Sequence, residues 1–96
     1  MKEDLLKIVN NYGINAQLKY IHSEYFELDE AILHYEDSKY FGNGYVVDDT
    51  DHIAEEIADV MVMLKQFQYY YGITDEEIED IMKMKIDRQL IRMGEK

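Results

Sequence analysis

The sequence predicts an all-α domain: a four-helix-bundle-like arrangement in which two long helices run antiparallel and carry the acidic motifs. Three observations carry that expectation. Proline is absent from the 96 residues, glycine occurs only five times, and apolar residues, 47% of the chain, recur at helical spacing. The first helix spans 2–11, where Leu5, Leu6, Ile8 and Val9 supply an apolar face and Gly13 follows the end. A second helix runs from about Asn15, a good N-cap residue, to about Asp37. Its apolar positions Leu18, Ile21, Tyr25, Leu28, Ala31, Ile32 and Tyr35 fill an arc of roughly 140° on a helical wheel. Ser38 to Asp49, with two glycines and Asn43, reads as an irregular loop. The third helix begins at Thr50 or Asp51 and stops at Gly72, and Ile53, Ile57, Val60, Met61, Met63, Leu64 and Phe67 mark its buried face. Thr74-x-x-Glu77 is a capping box that opens the fourth helix, and Gly94 closes it. Between Gly72 and Thr74 there is room only for a tight helix–helix turn. Without repeats, low-complexity tracts or a linker, residues 1–96 read as a single domain.

Charge and composition narrow the function. Ten basic against twenty-one acidic residues give a net charge of −11, which opposes generic binding to duplex nucleic acid or to anionic membrane. The acids are interleaved with apolar residues along the whole chain, unlike a disordered tail. No cysteine is present, so there is neither a disulfide framework nor thiolate chemistry. No apolar run approaches the ~20 residues of a membrane span, and Met-Lys-Glu-Asp at the start lacks a signal-peptide core. The expectation is a cytoplasmic protein. A core this small also favours association with further copies, as a homodimer or a homotetramer.

Two acidic pairs stand out: Glu24-x-x-Glu27 and Glu56-x-x-Asp59. Positions i and i+3 share a helix face, so each pair aims two carboxylates at one point. Glu24 falls inside the apolar arc of the second helix and Glu27 borders it, while Glu56 projects between Val60 and Met63 with Asp59 beside Met63. Four carboxylates turned toward a core cost several kcal/mol per ion unless a cation sits among them. An all-oxygen ligand set points to a hard divalent ion, Mg²⁺ first and Mn²⁺ next, before zinc or iron. The other acids of these helices, such as Glu30, Glu36 and Glu55, fit solvated surface positions.

The stretch Gln17 to Tyr35, with Ser23-Glu24-x-x-Glu27-Leu28 and Ala31-Ile32, followed by Glu55-Glu56-Ile57-Ala58-Asp59-Val60, resembles the MazG-like all-α nucleoside triphosphate pyrophosphohydrolase superfamily. The Ala-Asp-Val-x-x-Met-Leu-x-Gln run at 58–66 adds to the resemblance, which extends from about residue 15 to 92. The resemblance implies that Glu24, Glu27, Glu56 and Asp59 hold Mg²⁺. The implied reaction is hydrolysis of a ribo- or deoxyribonucleoside triphosphate between its α and β phosphates, releasing monophosphate and pyrophosphate. Glu27, at the edge of the apolar arc, is the candidate general base. Lys85, Arg88 and Arg92, on one stripe of the last helix, are candidates for a phosphate clamp, as is Lys39. Many members of the superfamily carry two consecutive acids where this chain has Ser23-Glu24, so an assisting acid is missing. A non-catalytic metal- or nucleotide-binding relative, acting as an acidic helical interaction module, is the alternative.

Two rival classes fit less well. A ferritin-like di-iron bundle needs Glu-x-x-His on two helices, which neither long helix supplies. A nucleic-acid mimic displays its acids outward, against the placement of Glu24 and Glu56. The nine tyrosines read mainly as core and interface, with Tyr69-Tyr70-Tyr71 as a subunit contact. Asp49-x-x-His52 lacks matching ligands and reads as a surface or capping pair.

Overall fold

The computed structural model describes residues 1–41 and 50–95, with the side chains of all of these except 38–41. These residues form four α-helices and no strand: α1 (Lys2–Tyr12), α2 (Ile14–Phe41), α3 (Thr50–Tyr70) and α4 (Asp75–Arg92). The all-α class is therefore as expected. Gly13, at φ 92°, lets the chain leave α1 and enter α2 at once: its N–H donates to Val9 O at 2.8 Å, and its own carbonyl accepts from Gln17 N at 3.1 Å. That corrects the N-cap, since α2 starts at Ile14 and Asn15 lies inside it. At the other end α2 continues past Asp37 to Phe41, because nothing in Ser38-Lys39-Tyr40-Phe41 breaks a helix before Gly42. The remainder of the expected loop, 42–49, lies outside the described residues.

The end of α3 is a Schellman motif. The Ile73 N–H donates to Gln68 O at 3.0 Å and the Gly72 N–H to Tyr69 O at 3.1 Å, with Gly72 at φ 70°. Thr74 then caps α4, its hydroxyl oxygen accepting from the Glu77 N–H at 3.1 Å as the capping box predicts. Asp75 locks the junction. Its Oδ1 accepts from Lys65 Nζ (2.6 Å), Gln68 Nε2 (2.8 Å) and the Tyr69 hydroxyl (2.9 Å).

α2 and α3 lie side by side and antiparallel. Gln17 meets Gln66, Glu24 meets Asp59, and Ala31 and His34 share a hollow with Glu56 and His52. α1 packs mainly on α3 and more narrowly on α2. α4 packs along none of the other described helices, and none of its residues is buried. The buried apolar residues are consequently few: Leu5, Val9, Ala31, Met63 and Tyr69. Several positions expected in the core are exposed instead, namely Leu18, Tyr25 and Ile32 on α2 and Ile57, Met61 and Leu64 on α3. Their apolar arcs are wider than the face that three packed helices cover. Within the seam, polar side chains take central places. Gln66, 1% exposed, accepts at Oε1 from Gln17 Nε2 (2.8 Å) and donates to Met63 Sδ (3.6 Å).

Candidate metal centre

Helical spacing and the antiparallel seam together assemble the site. Glu24 and Glu27 stand one turn apart on α2, Glu56 and Asp59 one turn apart on α3, and the seam sets the two pairs face to face. One ligand oxygen from each of the four lies within 4.8 Å of every other, so the cluster can hold a metal ion. Glu24 and Glu56 are buried, at 7% and 8% exposure, whereas Glu27 and Asp59 open to solvent. Oε2 of Glu24 and Oε2 of Glu56 are buried with no hydrogen-bond partner. Orphaned carboxylate oxygens are costly, and a hard cation held by the cluster is one way to satisfy them. The donor set is all oxygen and partly open, which suits Mg²⁺ or Mn²⁺.

The electrostatics agree with the geometry. Burial, followed by the negative charges of Glu27 and Asp59, pushes the Glu56 carboxyl above the usual range, while His52 pulls it back. His52 Nδ1 stands 3.9 Å from Glu56 Oε1 and 4.0 Å from Glu55 Oε2. Tyr20 is raised as well, chiefly by its hydrogen bond to Glu24 and by that carboxylate's charge. Sequence reasoning left both residues out of the site. The i,i+4 spacings Tyr20–Glu24 and His52–Glu56 were the signals that place them beside it.

Two hollows flank the carboxylates. One, of about 550 Å³, is lined by Glu24 and Asp59 and, among others, by Tyr12, Gln17, Tyr20, Met63 and Gln66. The other, of about 490 Å³, lies on the side of Phe26, Glu27, His34, His52 and Glu56. The first is apolar and aromatic with two amides, and its size is that of a small-ligand site.

The basic candidates are placed elsewhere. Lys85, Arg88 and Arg92 are exposed on α4, which packs along neither helix that carries the acids, so one copy of the chain does not bring them to the cluster. The Lys39 side chain and Asp49 lie outside the described residues. Ser23 is exposed, and its hydroxyl donates to Tyr20 O at 2.8 Å along its own helix. Of the tyrosine trio, Tyr69 is buried and satisfied within its own chain by Asp75, while Tyr70 and Tyr71 are exposed and meet edge to face at 5.0 Å. No family model matches the chain, and no curated protein or solved structure does so either.

Proposed function

We propose that the protein is a Mg²⁺-dependent hydrolase that converts a nucleoside triphosphate to its monophosphate and pyrophosphate. The observation that carries this reading is the four-carboxylate cluster with two buried, partnerless oxygens, Glu24 Oε2 and Glu56 Oε2, beside a cavity of about 550 Å³. The resemblance of Glu24-x-x-Glu27 and Glu56-x-x-Asp59 to the motifs of the MazG-like superfamily supports it as well. A chain of net charge −11 repels a polyphosphate everywhere except at a site whose charge is inverted. Glu24, Glu27, Glu56 and Asp59 would hold Mg²⁺, which would supply that positive charge and lower the pKa of a bound water.

The chain's own residues do the remainder. Glu24 and Glu56, both buried, fix the ligand positions from the inner side of the site. Asp59 closes the set from α3. Glu27, solvent-facing at the rim, takes the proton of the attacking water. Tyr12 and Tyr20 offer aromatic faces, and Gln17 an amide, to a base in the adjoining cavity.

Purified protein supplied with Mg²⁺ and a panel of ribo- and deoxyribonucleoside triphosphates tests the reading, with pyrophosphate and orthophosphate quantified separately. Pyrophosphate as product is the expected outcome. Orthophosphate alone, or no release from any triphosphate, overturns it. One observation favours a second reading, a metal- or nucleotide-binding relative that does not turn over: the Ser23 hydroxyl is engaged with its own helix, so nothing at that position replaces the missing acid. Metal binding with no hydrolysis is the result that selects this alternative.

A further inference from the structure

The four carboxylates are divided between two hollows. Glu24 and Asp59 line the hollow of about 550 Å³ and not the other, while Glu27 and Glu56 line the hollow of about 490 Å³ and not the first. Each hollow therefore takes one of the two buried glutamates that keep a partnerless oxygen. The cluster, with its ligand oxygens within 4.8 Å of one another, stands between the two compartments. A group held there has space on either side of it.

The two compartments differ in chemistry. The larger sets Ile8, Tyr12, Tyr20 and Met63 around the amides of Gln17 and Gln66, and no residue of its lining can carry positive charge. The smaller is lined by Phe26, Glu30, Ala31 and two of the chain's three histidines, His34 from α2 and His52 from α3. An imidazole keeps an N–H donor whether charged or neutral, so both can hydrogen-bond an anion in either state. His52 also stands in the first turn of α3, the helix end whose dipole favours negative charge. Neither lining includes a lysine or an arginine. The basic stripe of α4 packs along neither helix of the cluster.

A nucleoside triphosphate cut between its α and β phosphates divides into parts with the same contrast. One part carries a flat aromatic base, and the other is an anion without apolar surface. Aromatic faces and amides suit the first, and imidazole N–H donors suit the second. The reverse placement sets pyrophosphate against Ile8, Tyr12 and Met63, where no side chain offers a positive charge.

We propose that the substrate lies across the carboxylate cluster in one direction: the base in the hollow of Tyr12, Tyr20 and Gln17, and the departing pyrophosphate in the hollow of His34 and His52, whose imidazoles donate to its oxygens. The proposal rests on the nucleotide reading and adds to it a direction and two contact residues. Glu30, exposed and outside the metal set, is a like charge left in the anion's compartment. Its removal strengthens pyrophosphate binding.

The two products are tested apart. Mg²⁺-pyrophosphate and, separately, the nucleoside monophosphate that the parent releases are titrated into the protein by calorimetry at about pH 8, above the ordinary histidine range. His34→Ala and His52→Ala each weaken Mg²⁺-pyrophosphate about tenfold and leave the monophosphate, and Mg²⁺ alone, within about twofold of the parent. His34→Gln, which keeps an N–H donor, recovers most of the loss. Glu30→Gln has the opposite sign and tightens Mg²⁺-pyrophosphate about threefold. Tyr12→Ala is the converse, weakening the monophosphate about tenfold with pyrophosphate unchanged. With triphosphate as substrate the histidine variants raise KM and leave kcat near the parent value, because the contact is made in the ground state as well as in the transition state. In imidazole NMR spectra the resonances of His34 and His52 move on addition of Mg²⁺-pyrophosphate, while those of His22, which lines neither hollow, stay in place.

Histidine variants that bind Mg²⁺-pyrophosphate as an active parent does overturn the proposal and leave the nucleotide reading standing. Resonances of His34 and His52 that respond to the monophosphate instead reverse the direction and overturn it as well. A parent that cleaves no triphosphate removes the nucleotide reading, and the proposal falls with it.

Discussion

Two acidic sites in this chain are built in opposite ways. At the α3–α4 junction Asp75 is mostly exposed, yet its oxygens accept from Lys65, Gln68 and Tyr69, and those partners hold its carboxyl down at about 2. In the α2–α3 seam Glu24 and Glu56 are buried, each keeps an oxygen with no partner, and Glu56 is pushed upward. The first site is complete as it stands and serves the fold. The second leaves two buried carboxylate oxygens unsatisfied, in a cluster that could hold a metal ion.

Substituting one residue at each site tests that contrast most sharply. Glu56→Gln removes a ligand and is expected to bring pyrophosphate release below detection, while the melting temperature of the metal-free protein stays level or rises because like-charge repulsion is relieved. A loss of stability equal to the loss of activity makes Glu56 a structural residue and erases the difference between the sites. Asp75→Asn does the reverse. It keeps activity and metal affinity but lowers the melting temperature by roughly a few degrees, since Lys65 loses its charged partner.

The pH dependence of stability separates the sites without mutation. Glu56 has a raised folded value, so the folded state holds its proton more tightly than the unfolded chain does. Metal-free stability therefore falls as pH rises from the ordinary glutamate range through the raised value. Asp75 has a depressed value, so its contribution is in place above the ordinary 3.8 and is lost as pH falls toward about 2. Thermal melts across pH in chelator are expected to show both slopes. Added Mg²⁺ cancels the first and leaves the second, because the ion competes with the proton on Glu56 and has no purchase on Asp75. A melt profile that Mg²⁺ shifts equally at all pH values counts against a cluster-specific ion.

The smallest effect belongs to His52. Its charge lowers the Glu56 carboxyl, so His52→Ala moves the acid limb of the pH–rate profile, or of Mg²⁺ affinity, to higher pH and leaves the plateau near the parent value. No movement of that limb means the 3.9 Å approach has no electrostatic consequence.

How much of this was legible in the sequence depends on the range of the interaction. Local signals carried through: Gly13 and Gly72 at the helix ends, Thr74-x-x-Glu77 as a capping box, and the i,i+3 spacing that pairs the acids. The antiparallel seam also followed, because Glu24 and Glu56 sit on apolar arcs that have to face something. The burial of Gln17, Gln66 and Gln68 was not legible, since a glutamine reads as surface until its amide is seen to find a partner on another helix. Nor was the exposure of Leu18, Tyr25, Met61 and Leu64, because periodicity marks which side of a helix is apolar without marking which chain covers it. The isolation of α4 belongs to the same class. Its own pattern is amphipathic, and only the folded chain reveals that, beyond the Asp75 junction, no other described helix packs along it.

The four carboxylates straddle the connection between α2 and α3, with Glu27 and Glu56 separated by roughly thirty positions in the chain. A cation seated among them ties the two helices together as a detachable staple, closing that stretch into a ring. Its effect then falls on how long the seam stays shut as well as on any reaction. Where divalent ions are plentiful the seam of α2 and α3 is expected to stay pinned. Where they are scarce the helices are expected to part more often, and the backbone amides of α2 and α3 along the seam to exchange hydrogen faster in chelator, so that the opening rate of the seam becomes a gauge of the ion supply around it.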